Sequence, residues 1–338
     1  MTSGTSEFKG KRVLVTGATG FLGGAAARDL RARGAEVRAQ GRNPELLRKL
    51  AADGLVPAPG DLLDRAAVAK MVADVDVVVH CAALSSPWGT YEAFYRANVE
   101  ATEILADAAL AARGGRPVER FIHISTPSIY TARFHRRNLR EDAPLPPKKI
   151  SGYGETKWLS EVALDRRIER GLWAIKLRPL NIIGPGDTTV LPRLLRLADR
   201  KMIPVLPEGD AETDLTPIEN VLAVIRSAFT APDGVRGRAY NISNGEPITI
   251  PEILRIIHAV RGVEARPRKL RPRIALGFAG AVEWFYRNFR GGAEPAVTVQ
   301  ALCALLYSRS LNVEAARRDL GFRPLGGTEA YLRARLSE

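Results

Sequence analysis

The chain has 338 residues, long enough for a nucleotide-binding domain joined to a smaller second domain. Its formal net charge is +13, but the basic side chains are spread through stretches such as "DLRARG" and "LPRLLRLADRK", which argues against a nucleic-acid site. Two distant cysteines and four scattered histidines predict no disulfide framework and no metal site. The chain shows no signal-like N-terminus and no apolar run near the roughly 18 residues of a membrane span, which predicts a cytoplasmic enzyme.

A glycine-rich turn near the N-terminus predicts a dinucleotide site. The stretch "RVLVTGATGFLGGAAARDLRARG", residues 12–34, reads as a β-branched run, a glycine turn and a helix. Glycine permits the tight turn and lets the backbone approach a pyrophosphate, while the helix N-terminus offers amide donors. The candidate cofactor contacts in this turn are Gly17, Thr19, Gly20, Phe21, Leu22 and Gly23.

The second predicted strand, "AEVRAQGR", ends without an acidic residue. A carboxylate there would bind both ribose hydroxyls and repel a 2′-phosphate, yet no acid lies between Glu36 and Glu45. Arg42 instead offers a planar cation suited to phosphate. We predict a preference for NADP(H), with Arg42 the main determinant and Arg38 a weaker one. The alternative is an exposed turn arginine, with NAD(H) held by backbone groups alone.

The next apolar runs predict a parallel sheet. "VDVVVHCAAL" (75–84), "RFIHISTPS" (120–128) and "LWAIKLRPL" (172–180) alternate with helical stretches, a pattern typical of strands buried on both faces. We expect an α/β fold with a doubly wound parallel sheet. Residues 1–180 would form the dinucleotide-binding domain and 181–338 the smaller substrate-binding domain, with segments around 212–245 returning to the first.

Two acidic residues follow the third predicted strand in "PAPGDLLDRAAVAKMV". Asp61 has two interpretations, a turn residue or a side chain at the adenine edge, and its spacing does not separate them. Asp64 is placed to cap the following helix.

Two later segments together predict a catalytic site. "HISTPS" brings Ser125, Thr126 and Ser128 to the carboxyl end of a strand, where such sheets bind ligands. "SGYGETKWLSE" then opens a helix with Tyr153 and Lys157 at i, i+4 spacing, on one helical face. A nearby cation lowers a phenol's pKa from its usual ~10, so this tyrosine could exchange a proton with a carbonyl or alcohol oxygen that a threonine hydroxyl also holds.

The order of these motifs resembles that of the extended short-chain dehydrogenases/reductases. "TGATGFLG", "GDLLD", "HCAA", "RANVEAT", "STPSIY", "YGETK" and "LRPLNIIGPGD" span most of the chain. The resemblance implies a Rossmann domain, Tyr153 as acid/base, Lys157 holding the nicotinamide ribose, and Thr126 polarising the substrate oxygen, with Ser125 structural. Asn98 is either a catalytic residue or a helix-packing one. A homodimer through the helices carrying Asn98 and Tyr153 is also implied.

The resemblance further implies contacts outside the glycine turn. Asp61 and Leu62 would lie beside adenine, residues 80–83 along the cofactor, and the backbone after Pro179 at the carboxamide. The implied cofactor contacts are Arg42, Asp61, Leu62, Cys81, Ala82, Ala83, Ser125, Tyr153, Lys157, Pro179, Asn181 and Ile182. The candidate substrate contacts are Ser85, Trp88, Thr126, Ser128 and Asn181.

Details of the motifs favour one branch of this family. Pro127 and Ser128 stand where sugar-nucleotide dehydratases carry an Asp-Glu pair. Asn181 resembles a diphosphate contact of epimerases, but Thr213 replaces their later arginine. "AALSSPWGTYEAFYRANVEAT" and "SRSLNVEAARRDLGFRP" resemble the 3β-hydroxysteroid dehydrogenase branch, which includes sterol-4α-carboxylate dehydrogenases and 2-alkyl-3-keto acid reductases. We expect a dehydrogenase or ketoreductase acting on an apolar, steroid-like or β-keto acid-like substrate. The alternatives are a sugar-nucleotide epimerase with tightly bound NAD and a catalytically idle NADP-binding regulator.

The segment "IALGFAGAVEWFYRNFR", residues 274–290, predicts an amphipathic helix. Its apolar stripe consists of Ile274, Phe278, Val282, Phe285 and Phe289. Three interpretations stay open: a helix packed on the core, a wall of the substrate pocket, or a helix on a membrane surface. The basic stretch "EARPRKLRPR" just before it suits the third, so we expect peripheral membrane contact through residues 265–290 as one alternative.

Overall fold

A seven-stranded parallel sheet forms the centre of the molecule in this computed structural model, which describes residues 7–112, 114–147, 149–207, 209–290 and 293–337. The strands are β1 (Arg12–Thr16), β2 (Glu36–Gly41), β3 (Val56–Pro59), β4 (Val77–His80), β5 (Arg120–Ile124), β6 (Arg136–Leu139), β7 (Ala174–Pro179), β8 (Ile182–Ile183), β9 (Met202–Val205), β10 (Glu212–Thr213), β11 (Thr216–Pro217), β12 (Ala239–Ile242), β13 (Ile248–Thr249), β14 (Arg266–Lys269) and β15 (Arg309–Leu311).

Helices cover the sheet and build the second half of the chain. They are α1 (Phe21–Ala32), α2 (Pro44–Ala52), α3 (Arg65–Val72), α4 (Tyr91–Tyr95), α5 (Ala101–Leu110), α6 (Gly152–Glu169), α7 (Val190–Ala198), α8 (Ile218–Phe229), α9 (Ile250–Val260), α10 (Pro272–Phe289), α11 (Val299–Leu306), α12 (Glu314–Leu320) and α13 (Thr328–Leu336). A π-helical turn, Arg96–Glu100, joins α4 to α5, and short 3-10 turns occur at Pro127–Tyr130 and Asp233–Val235.

The strand order is β3-β2-β1-β4-β5-β7-β12, which confirms the predicted doubly wound Rossmann sheet. Alternate residues of β1 explain why it needs helices on both faces: Val13 and Val15 pack into one hydrophobic cluster and Leu14 into another. The chain direction of the crossovers reverses between β1 and β4, so the ligand crevice of such a sheet lies beyond their carboxyl ends.

The second half of the chain contributes to both parts of the molecule. β12 pairs with β7 and so forms an edge of the central sheet. A separate hydrophobic cluster packs around α9, with Ile253, Leu254 and Ile257 fully enclosed. Beside it, a four-stranded sheet in the order β13-β10-β15-β6 combines strands from both halves of the chain.

Two caps fix helices that border the crevice. The Asp64 carboxylate accepts hydrogen bonds from Ala66 N at 2.9 Å and Ala67 N at 3.1 Å, which confirms it as the cap of α3. The Ser151 hydroxyl accepts from Gly154 N at 3.2 Å and caps α6, the helix that carries Tyr153.

Candidate active site

The glycines of the first turn allow three backbone segments to meet. Gly17 has a φ of +64°, and a Cβ there would lie 2.8 Å from Ala82 Cα, after β4. A Cβ on Gly23 would lie 2.3 Å from the carbonyl oxygen of Gly17. Side chains at either position would push α1 or the segment after β4 away from the turn, so the turn keeps the close-packed form that a pyrophosphate cradle requires.

Gln40 holds this cradle and was not identified from the sequence. Its Oε1 accepts a hydrogen bond from Gly17 N at 3.0 Å, and its Nε2 donates to Gly60 O at 2.8 Å. The side chain is buried at the end of β2 and links the turn after β1 to the turn after β3. The one available signal was a glutamine directly before the glycine that ends β2.

The predicted cofactor determinant, Arg42, lies at the tip of β2 with its side chain 79% exposed. Its Nη1 is 3.9 Å from Asp61 Oδ2, and Asp61 Oδ1 accepts from Leu63 N at 3.0 Å. Asp61 therefore has the turn role that was one of its two interpretations, and it also faces the arginine. Leu62 is buried in the core on one side of the sheet.

Arg38 does not lie at this turn, which corrects its place as a weaker candidate. Its Nη1 donates to the carbonyls of Met71 at 3.0 Å and Ala73 at 2.6 Å, at the end of α3. Its side chain lies on the face of the sheet that α3 covers, at the end of that helix rather than at the tip of β2.

Tyr153 and Thr126 meet at the carboxyl end of β5. Thr126 ends the strand segment and its Oγ1 accepts from Ser128 N at 3.1 Å, while Tyr153 sits in the first turn of α6. A Cβ on Gly154 would lie 2.8 Å from Ser128 O, so this glycine lets α6 approach the strand end. Burial raises the pKa of Tyr153, opposed by a hydrogen bond with Thr126 and by the charge of Arg309. The Thr126 hydroxyl and the Tyr153 phenol are therefore neighbours at this end of the sheet.

Lys157 lies on the same helix, but its ammonium points to the sheet. Its Nζ donates to Ile124 O at 2.7 Å and lies 3.3 Å from His123 Nε2. Burial lowers the pKa of Lys157 to about 8. The charge of Arg309 lowers the pKa of the Tyr153 phenol. The predicted spacing of Tyr153 and Lys157 on α6 is observed, and the effect of the lysine on the tyrosine stays a prediction.

The segment after β4 runs beside Lys157. Burial raises the pKa of the Cys81 thiol to about 12, against the opposing charge of Lys157, and burial together with Lys157 lowers the pKa of His80 to about 3. His80 is held neutral between two hydroxyls, Thr16 Oγ1 at 2.7 Å and Thr102 Oγ1 at 3.0 Å. Ala82 is partly buried, whereas Ala83 is exposed in the crevice region.

Asn98 is fully buried and supports the loop that follows β4. Its Oδ1 accepts from Leu84 N at 2.8 Å, and its Nδ2 donates to Leu84 O at 3.2 Å and to Thr156 Oγ1 at 3.0 Å. It lies in the π-helical turn, where the extra residue per turn rotates it toward α6. These contacts give it the packing role that was one of its two interpretations.

A buried ion pair fixes Ser125 beneath the site. Arg178 of β7 donates to Glu161 of α6, with Nη2–Oε2 at 2.5 Å and Nε–Oε1 at 2.9 Å. The Ser125 hydroxyl donates to Glu161 Oε1, and Arg178 also donates to the hydroxyl of Tyr130. Burial alone would raise the pKa of Glu161, but hydrogen bonding to Arg178 holds it below its usual value. Ser125 is thus structural, and the network ties α6 to the two strands that end at the site.

The other predicted substrate contacts follow three strands: Ser85 and Trp88 come after β4, Ser128 after β5 and Asn181 after β7. Ser85 is exposed, Trp88 lies under the Arg287 guanidinium at 5.0 Å, and the Ser128 hydroxyl accepts from Thr126 Oγ1 at 3.2 Å. Asn181 has a φ of +45°. It lies two residues after Pro179, which is buried, and directly before Ile182, which is partly buried. Its Nδ2 donates to Thr213 Oγ1 at 2.7 Å and Asp214 O at 3.1 Å.

Helix α10 presents its apolar stripe to solvent. Ile274, Phe278 and Phe289 are each 64% exposed and Phe285 is 46% exposed, whereas Leu276 and Ala279 pack inward. Of the three interpretations of this helix, packing of the stripe on the core does not describe these four exposed residues. The polar side reaches inward instead, with Glu283 accepting from Val299 N at 2.7 Å and Arg287 over Trp88. Within the described ranges, no helix combines the length and apolar content needed to span a bilayer.

Similarity to known proteins agrees with this geometry. Residues 13–243 match the model of the NAD dependent epimerase/dehydratase family. The chain is 32% identical to a 2-alkyl-3-oxoalkanoate reductase of Stenotrophomonas maltophilia, over 95% of this chain and 97% of that protein. It is 30% identical to a 3-beta-hydroxysteroid dehydrogenase of Mycolicibacterium neoaurum, over 94% and 88%.

A solved structure shares the fold. The UDP-glucuronic acid 4-epimerase of Bacillus cereus, in complex with NAD, superposes with a TM-score of 0.73 at 21% identity, covering 96% of this chain and 95% of that one. The glycine cradle, the Tyr153–Thr126 pair and the family match over 13–243 thus agree. This chain belongs to the NAD-dependent epimerase/dehydratase family, the extended short-chain dehydrogenases/reductases.

Proposed function

We propose that this protein, an NAD(P)-dependent oxidoreductase, transfers hydride between the nicotinamide and a hydroxyl or ketone carbon of an apolar, steroid-like or β-keto acid-like substrate. The observation that supports this most directly is the Tyr153–Thr126 pair, set at the carboxyl end of β5 beside the glycine cradle. Relatives named as reductases and dehydrogenases over nearly the whole chain support the same activity.

The residues present suit the two halves of this reaction. The glycine cradle would hold the pyrophosphate of the dinucleotide, whose nicotinamide would supply or accept the hydride. During reduction, Tyr153 donates its phenolic proton to the carbonyl oxygen as the carbon gains the hydride, and the Thr126 hydroxyl donates a hydrogen bond to that oxygen. Burial keeps the pKa of Tyr153 high, so the phenol carries the proton that this step consumes. In oxidation the proton moves the other way, from the alcohol to the phenolate form of Tyr153, which becomes the phenol.

A sugar-nucleotide epimerase is the second candidate, supported by the fold shared with the Bacillus cereus enzyme. The environment of Asn181 weighs against it. Its side-chain Nδ2 already donates hydrogen bonds to Thr213 Oγ1 and Asp214 O. A residue that holds a diphosphate needs a donor that is not occupied in this way.

A substrate panel separates these functions. We expect net, stoichiometric oxidation of NADPH with 2-alkyl-3-keto acids or steroid ketones, because a reductase releases an oxidised cofactor in each turnover. An epimerase would instead convert UDP-sugars without net change in the absorbance at 340 nm. Conversion of UDP-sugars by protein purified with bound NAD, with no redox turnover of any ketone, would contradict the reductase.

We also propose that NADP(H) is the preferred cofactor. An exposed Arg42 at the tip of β2 can pair with a 2′-phosphate at little desolvation cost, and β2 ends without the acid that would bind the ribose hydroxyls of NAD(H). The carboxylate that faces Arg42 is that of Asp61, on the turn after β3. NAD-bound relatives establish only that a nicotinamide dinucleotide fits this fold.

We propose in addition that α10 lies on an anionic membrane surface. Its exposed stripe holds three phenylalanines, and Trp284 beside it is 62% exposed. The adjoining strand β14 has three exposed basic residues, Arg266, Arg268 and Lys269. A cationic flank beside an exposed apolar face is the combination that binds anionic lipid interfaces.

Vesicle sedimentation tests this contact. We expect binding to vesicles containing phosphatidylglycerol, weaker binding to pure phosphatidylcholine, and a decrease of roughly tenfold or more in binding for the Phe278→Asp, Phe289→Asp double variant. Leu325→Asp is the matched control, since Leu325 is 61% exposed elsewhere on the surface. Equal recovery of all three proteins with anionic vesicles would contradict the proposal.

A further inference from the structure

Arg309 places a guanidinium beside the candidate active site without a partner carboxylate. It begins β15, in the middle of the four-stranded sheet, where it is the neighbour of Thr213 on β10. Its Nη1 donates to Thr131 Oγ1 at 2.6 Å, and its Nε is enclosed without a hydrogen-bond partner. Among the described residues, no Asp or Glu oxygen forms an ion pair with it.

Arg309 is joined to two segments that border the candidate site, through its side chain to Thr131 and through strand pairing to Thr213. Thr131 directly follows the short 3-10 turn Pro127–Tyr130, which Thr126 caps. The Thr213 hydroxyl accepts a hydrogen bond from the side-chain amide of Asn181, which follows β7. The guanidinium is also close enough to Tyr153 for its charge to lower the pKa of the phenol. Arg309 thus brings a positive charge from the C-terminal part of the chain to within electrostatic range of the proposed acid.

The surroundings leave the positive charge uncompensated. Burial lowers the pKa of Arg309 to about 10, and the groups that act against this are the Cys303 thiol and the Tyr153 phenol. Both are neutral near pH 7, because burial raises the pKa of Cys303 to about 11 and raises that of Tyr153. A desolvated cation normally has a partner anion, so the missing partner points to one that arrives with a ligand.

We propose that Arg309 binds the carboxylate of the substrate while Tyr153 and Thr126 hold its ketone or hydroxyl oxygen. This inference deepens the proposed function, on which it rests, by naming the substrate class as 3-keto or 3-hydroxy carboxylic acids rather than neutral steroids. In such acids one carbon separates the carboxylate from the reacting carbon. A guanidinium near the phenol therefore suits them, and it pairs with a carboxylate through parallel N–H donors.

The test compares an acid with its neutral ester. A 2-alkyl-3-hydroxy acid and its methyl ester are oxidised with NADP⁺, a direction that avoids the spontaneous decarboxylation of 3-keto acids. We expect kcat/KM of the native protein to be about 10- to 100-fold higher for the acid, the ratio expected of charge-assisted hydrogen bonds. In Arg309→Gln the ratio should fall to within about threefold, mainly through KM for the acid, and Arg309→Lys should retain part of it.

A matched variant controls for loss of surface charge. Arg137 lies on β6 of the same small sheet, 47% exposed and paired with Glu212 at 2.9 Å. Arg137→Gln is expected to keep the acid-to-ester ratio of the native protein. Because acid and ester meet the same folded protein, the ratio in the native chain remains informative even if Arg309→Gln folds poorly.

Binding measurements separate this inference from the proposed activity. Calorimetric titration of the cofactor-loaded protein should show tighter binding of the acid than of the ester, and Arg309→Gln should remove that difference. Equal affinity for acid and ester in the native protein, or equal loss for both in Arg309→Gln, would overturn the role of Arg309 even if ketones are reduced. Arg309-dependent binding of the acid without any redox turnover would instead overturn the proposed activity and leave the carboxylate site standing. Arg309-dependent binding of a UDP-sugar alone would assign the guanidinium to a diphosphate and overturn the carboxylate proposal.

Discussion

Replacement of Tyr153 by phenylalanine is expected to lower kcat about 10³-fold or more while leaving the cofactor Kd within about twofold of the native value. Loss of general acid catalysis costs 10²- to 10⁴-fold in typical enzymes, and this phenol is the group that meets Thr126 at the end of β5. The ring itself stays, so the crevice keeps its shape. Steady-state NADPH oxidation gives kcat, and fluorescence titration of NADPH gives Kd.

Tyr286→Phe is the matched control for this substitution. Tyr286 lies on α10, where its ring contacts the Arg290 guanidinium at 5.9 Å, so losing its hydroxyl should leave kcat unchanged. Native-like turnover in Tyr153→Phe would show that another group supplies the proton, and the assignment of the acid would be wrong.

Replacement of Arg42 by alanine is expected to lower the NADPH-to-NADH ratio of kcat/KM by about 10- to 100-fold, mostly through a higher KM for NADPH. The guanidinium is exposed at the tip of β2, and it would form charge-assisted hydrogen bonds to a 2′-phosphate that NADH lacks. The value of KM for NADH should change little. Initial rates with both cofactors at a fixed substrate concentration measure the ratio.

Arg48→Ala provides the comparison for this charge. Arg48 is exposed on α2, the helix after the same turn, and its removal should leave the ratio within about twofold of the native value, as expected of an exposed charge. An unchanged ratio in Arg42→Ala would mean that backbone groups hold the adenosine end, and NADP(H) preference would lose its basis.

Local patterns in the sequence were sufficient to predict the elements of the site. Buried strands, the glycine turn and the Asp64 cap are determined by residues next to each other in the chain, and the structure confirms them. The sequence also predicted that Thr126 and Tyr153 lie together, because parallel strands end at one edge of the sheet. The roles of Gln40 and Arg309 were not predicted, since they depend on partners that are distant in sequence.

The sequence patterns did not predict the direction in which the side chains of α6 and α10 point. Tyr153 and Lys157 share a face of α6, but the ammonium reaches Ile124 O because β5 offers a buried acceptor there. On α10 the apolar stripe was identified correctly, yet Leu276 and Ala279 turn inward instead. The helical period shows which residues lie together, whereas the neighbouring elements determine which side is covered.

The close contact at the end of β2 limits how cofactor preference can change. A Cβ at Gly41 would lie 2.4 Å from Thr19 Cγ2, within the glycine turn. An acidic side chain at position 41, the simplest route to NAD, would therefore collide with a β-branched neighbour that is stiff at χ1. Positions 41 and 19 are expected to change together, so a change of cofactor preference from NADP(H) to NAD(H) would take a pair of substitutions. The first substitution alone is expected to weaken the binding of both cofactors until the second is made.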